Sequence, residues 1–165
     1  MPITSRTWFL PAILLAVLVF IGIAIAFTHP LTSILDEGKV RDVVTAFGAS
    51  EKNVALSGTK TDLVQDITKN YGQLITAELL QQWTAAPEMA PGKKASGPWP
   101  DHIEIDAVSP QGAGYILVGR VILVKDEAAT PTVSSEIPVV IFATQVAGQW
   151  KVAAYQEQVL AQTNL

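Results

Sequence analysis

Few residues in this chain are of a type and spacing to do chemistry. His102, Glu104 and Asp106 stand at i, i+2 and i+4, which on a strand puts all three on one face. Such a trio could hold a divalent metal. The plainer reading is a solvated sheet face, because HIEIDAV alternates these residues with Ile103, Ile105 and Ala107. Trp83, Trp99, Tyr115, Trp150 and Tyr155 could line a pocket for an apolar or aromatic ligand, or be ordinary packing of the core and its rim. Arg120, set mid-strand among apolar neighbours, could receive an acidic group or pair with a carboxylate of the chain itself. Gly92-Lys93-Lys94 lacks the glycine five residues upstream that a phosphate loop requires. With no cysteine and no serine motif beside a partner histidine, nucleophilic catalysis has nothing to rest on. No catalytic residue, cofactor ligand or metal ligand is therefore assigned. Trp83, Trp99, Tyr115, Arg120, Trp150 and Tyr155 remain as the candidate pocket or interface.

The stretch that positions everything else is Trp8 to Phe27, twenty residues without a charge. As a helix it spans roughly 30 Å, the thickness of a bilayer's hydrocarbon core. Pro11 falls in the first turn and Gly22 is tolerated in membrane helices. A cleaved signal peptide is the competing reading, since Ala24-Ile25-Ala26 offers a small-x-small site, but the apolar run is long and no polar region precedes that site. Only Arg6 and the α-amino group precede the segment, which by the positive-inside rule leaves the N-terminus in the cytoplasm and the C-terminal part outside. The expected organisation is a cytoplasmic stub at 1–7, an anchor or uncleaved signal at 8–27 and a linker at 28–32. An extracytoplasmic domain at 33–160 and a tail at 161–165 complete it.

Beyond the anchor remain about 137 residues, enough for one domain with a proper core. All 15 acidic residues lie after position 35, against ten of the 11 Lys and Arg. That charge argues against nucleic acid and against a polybasic membrane-binding surface.

Thr32 and Ser33 can cap a first helix, with Val40, Val43, Val44 and Phe47 as one apolar stripe and Gly48 as its stop. A polar connector follows from Ala49 to Lys60. Thr61 or Asp62 caps a second helix with Leu63, Val64, Ile67, Tyr71 and Leu74 inward. Thr76 caps a third with Leu79, Leu80 and Trp83 inward, closed by Pro87. PEMAPGKKASGPWP, residues 87–100, is a stiff loop. From His102 the period changes to two. Four strands are expected: from His102, from Tyr115 to Val124, from Ile137 to Val146 and from Gln149 to Val159. Gly119 suggests a bulge or bend, and Pro138 an edge or an unpaired first residue. Residues 126–136 read as a polar loop, and Ala147-Gly148 as a tight turn.

Helices followed by an antiparallel meander make an α+β fold. The element order, the bend at Gly119 and the closing Gly-x-Trp-Lys-Val at Gly148 to Val152 resemble the nuclear transport factor 2-like, cystatin-like superfamily over residues 33–160. The run from Ala90 to Asp101 is also similar to a stretch in single-pass proteins of Gram-positive bacteria. The first resemblance implies about three helices packed on a curved sheet of about four strands, forming a cone. Enzymes of that superfamily often place an Asp–His pair, or a carboxylate with tyrosine, inside the cone, and His102 and Asp101 do not match that pattern. Non-catalytic relatives include inner-membrane subunits of secretion machines and an extension domain of some penicillin-binding proteins. The expectation is a single-pass, non-catalytic interaction or assembly module of the bacterial cell envelope, with no cofactor. Its partners would be the bilayer through residues 8–27 and another envelope protein or a second copy. The alternative is a pocket protein or enzyme that takes a small apolar ligand in the cone.

Overall fold

The computed structural model describes residues 32–126 and 131–158. The anchor expected at 8–27 lies outside them, and no helix among the described residues is long and apolar enough to cross a membrane. The elements run α1 (Thr32–Glu51), α2 (Lys60–Tyr71), α3 (Ala77–Ala85), a 3-10 turn (Pro87–Met89), β1 (Trp99–Gln111), β2 (Gly114–Val124), β3 (Val133–Val146) and β4 (Gln149–Glu157). From Glu37 onward they form one compact unit. The architecture is the expected α+β, with three helices and a four-stranded antiparallel sheet in the order β1-β2-β3-β4.

The helix α1 does not stop at Gly48 but continues to Glu51. Gly48 is there for space, since a Cβ would lie 2.7 Å from Ile103 Cγ1. The cap of α2 is Thr59 rather than Thr61 or Asp62. Its hydroxyl accepts from Asp62 N, and the Asp62 carboxylate accepts from Thr59 N, a complete capping box. Thr76 caps α3 as its position suggested.

Two of the strands begin earlier than their alternation suggested. Trp99 and Pro100 pair with Val124 and Leu123, and Val133 to Glu136 pair with the far end of β2, so part of each expected loop is sheet. Pro138 lies inside β3, opposite Arg120. Its carbonyl accepts from Gln158 N at 2.7 Å, just past the end of β4, so the proline sits at the last rung of that ladder, where its missing N–H costs least. The Ala147-Gly148 turn has φ of 50° and 80°, as a two-residue hairpin between right-twisted strands requires.

Register shifts at Pro100/His102 and Ile105/Ala107 in β1, and at Phe142/Ala143 opposite β4, bend the sheet and change which residues face inward. In β1 the second shift puts Ala107 on the exposed face opposite Val118, and Val108 packs against the core in its place. The core lies between the helices and the concave face. Val40, Val44, Phe47, Ile67, Tyr71 and Trp83 meet Leu117, Val121, Val139, Ile141 and Val152 there.

A carboxyl-floored cavity as candidate functional site

The apolar stripe of α1 runs Val40, Val44, Phe47 and then, one turn further, Glu51. Helical spacing therefore carries an ionisable group onto the buried face. Glu51 is 1 % exposed, and no group among the described residues partners its Oε1. Burial raises its pKa well above the ordinary value, the nearby charge of Glu157 raises it further, and a side-chain hydrogen bond with Tyr155 acts in the opposite direction. Glu51 is thus the neutral-leaning acid of the fold.

The second strand shift supplies its neighbours. Val152 pairs with Ala143, but Ala154 pairs with Phe142, leaving Ala153 as the extra residue. Beyond that bulge the inward phase passes from Val152 to Tyr155 and Glu157, opposite Ile141 and Val139. Tyr155 donates to Glu157 Oε1 at 3.0 Å. Burial and the charges of Glu51 and Glu157 raise the pKa of Tyr155, as they do that of Tyr71.

These groups border a half-open cavity of about 570 Å³, within the size range of small-molecule sites. Leu56, Val121, Leu123 and Ile137 supply apolar wall, Glu51, Tyr155 and Glu157 the polar end, and the loop from Glu88 to Pro100 the rim. The loop is pinned from below: Tyr71 donates to Pro91 O at 2.8 Å, and Lys93 and Val54 to Leu56 bond across it at 2.8 Å. A Cβ at Gly92 would come within 2.7 Å of Val54 O, so only glycine fits this approach. On its outer side Trp99 donates to Lys94 O at 3.0 Å, with the Lys93 ammonium 5.1 Å from its ring centroid.

Of the six residues marked as candidates from sequence, only Tyr155 lines this cavity. Trp83 is in the core, 6.0 Å from Phe47 and 5.4 Å from Tyr71 between ring centroids. Tyr115 and Trp150 meet edge to face at 5.4 Å, and Trp99 braces the loop. Arg120 lies on the opposite sheet face, paired with Glu136 at 2.8 Å, Glu104 at 2.9 Å and Asp106 at 3.1 Å. Glu104 and Asp106 thus engage a guanidinium. His102 Nδ1 is 2.8 Å from Asp101 Oδ2, a contact that lowers the pKa of Asp101. Among the described residues no group of His, Asp and Glu is arranged to hold a metal ion. Glu51 and Glu157 went unmarked. The helical phase of Glu51 was readable, whereas that of Glu157 depends on the bulge.

No family model, curated protein or solved structure matches this chain.

Proposed function

We propose that this chain is a small-molecule pocket protein built on a nuclear transport factor 2-like cone and held at the cell membrane by residues 8–27. The observation that carries the reading is the unpartnered, buried Glu51 oxygen at the polar end of an open-mouthed cavity. A buried polar atom with no partner costs a fold on the order of 1–3 kcal/mol. A site retained at that cost is accounted for by a ligand that supplies the partner. Saturation-transfer NMR of a fragment library against the full chain in lipid nanodiscs tests it. A set of fragments should bind competitively, and Ser96→Trp at the exposed rim should displace them. A library with no member sensitive to that substitution overturns the reading.

A second reading, the envelope interaction module, draws on the convex sheet face. There the cross-strand pairs Ile116–Phe142 and Val118–Val140 form an apolar patch in which Val118 is 45 % exposed. Photo-crosslinking from position 118 in native membranes is its test. A reproducible neighbouring protein supports the module, and a blank or self-adducts alone remove its main support.

A further inference from the structure

Charge and hydrogen-bond roles around the cavity narrow the kind of molecule it accepts. Among the described residues three carboxyl groups, Glu51, Glu88 and Glu157, border it against a single cation, Lys94. Tyr155 has one hydroxyl proton for two carboxyls, since it donates to Glu157 Oε1 and also lies within hydrogen-bonding reach of the Glu51 carboxyl. Among the described residues Glu51 Oε1 has no partner. Once Glu51 gives up its proton the polar end is rich in acceptors and poor in donors, while Leu56, Val121, Leu123 and Ile137 offer an apolar surface beside it.

Resting on the pocket reading above, we infer that the cavity binds an amphiphilic organic cation, its ammonium head against Glu51 and Glu157 and its apolar body along Leu56, Val121, Leu123 and Ile137. An ammonium brings three donors and no acceptor, the complement of this floor. An anionic head would meet Glu157 and Glu88 with like charge. A neutral alcohol could use one acceptor but would gain no charge-assisted hydrogen bond. The titratable groups that face Glu51 are Glu157 and Tyr155 from β4 and Tyr71 from α2, with Glu88 and Lys94 on the rim. Glu51 leans neutral in the free protein, so seating a cation against it ionises it. Binding then releases a proton, and affinity rises with pH.

Hexylamine, 1-hexanol and hexanoate are matched probes that differ only in the head. Titration calorimetry with the full chain in nanodiscs, with empty nanodiscs as the blank and two buffers of different ionisation enthalpy, reads both affinity and proton release. The amine should bind about tenfold more tightly than the alcohol or better, release a proton, and tighten as pH rises. Glu51→Gln should erase the proton release and most of the preference, and Glu157→Gln should weaken the amine selectively. Equal binding of amine and alcohol, or a preference for hexanoate, overturns the cation inference while leaving a pocket. No binding of any probe above the blank overturns both.

Discussion

Tyr155 donates a 3.0 Å hydrogen bond to Glu157 Oε1, two residues further along the same strand. The pair lies on the cavity side of β4 only because Ala153 is bulged out just before it. This couples the two cavity carboxyls, since Tyr155 bonds to one and holds down the pKa of the other. Tyr155→Phe keeps the ring and removes that coupling. The Glu51 carboxyl should then titrate higher than in the parent by carboxyl-carbon NMR, with stability lower by about 1 kcal/mol. A Glu51 titration unchanged by the substitution would sever the proposed link between the two residues.

Glu51→Gln separates the charge of Glu51 from its shape. Its pKa in the folded chain is raised above the ordinary glutamate value of 4.5. Below that ordinary value the group is protonated in both folded and unfolded chains and contributes nothing to the difference. As pH climbs past it, the unfolded chain ionises while the folded chain holds its proton. Stability then falls by about 1.4 kcal/mol per pH unit until pH passes the folded value. Gln cannot ionise, so parent and variant should unfold alike near pH 4, and the variant should gain steadily above pH 5. Urea midpoints measured from pH 4 to 8 give this directly. Parallel curves across that range would mean that Glu51 is charged in the fold.

The α+β class, the helix count and most inward-facing residues were legible because period 3.6 and period 2 survive wherever the elements are regular. What was hidden follows from irregularity. The alternation from Trp150 onward assigns Tyr155 to the outward set, and one extra residue at Ala153 reverses it. Ala107 and Val108 exchange faces for the same reason at the Ile105/Ala107 shift. Bulges have no reliable signature in a single sequence. Glu51 was hidden differently. Its phase on α1 is plain, but Gly48 read as a stop, and only the Ile103 side chain packed over Gly48 shows why glycine stands there.

Phe47 is fully buried, with ring centroids 5.0 Å from Tyr71, 5.5 Å from Tyr155 and 6.0 Å from Trp83. Truncation there removes the hub of the aromatic cluster under the concave face. Phe47→Ala should cost about 3–5 kcal/mol and Phe47→Leu much less, on the order of 1 kcal/mol. Chemical denaturation of both variants checks the order. Equal costs would show that the cluster collapses around any small residue and is not close-packed.

Glycine positions give a matched pair. A Cβ at Gly119 would run into the Glu104 carbonyl oxygen of the neighbouring strand, beside the shift that bends β1. A Cβ at Gly38, inside α1, meets nothing within 4 Å. Gly119→Ala should therefore destabilise by about 1–3 kcal/mol, and Gly38→Ala should stabilise by about 0.5–1 kcal/mol through helix propensity. A harmless alanine at 119 would mean that β1 and β2 can separate at no cost, against the bulged register described above.

On the convex face, Arg120 alone bridges Glu104, Asp106 and Glu136. Those contacts raise its pKa, the hydrogen bond with Glu136 foremost. Removing the guanidinium from β2 leaves three carboxylates, Glu104 and Asp106 on β1 and Glu136 on β3, with no cation between them, and like charges that close repel. Arg120→Gln should lower the melting temperature at low ionic strength. The loss should shrink as salt is raised toward 1 M, where screening acts over about 3 Å. That dependence distinguishes repulsion from a packing defect, which salt does not repair. A deficit that stays constant from low salt to 1 M would assign the role of Arg120 to the packing of its aliphatic stem and not to its charge.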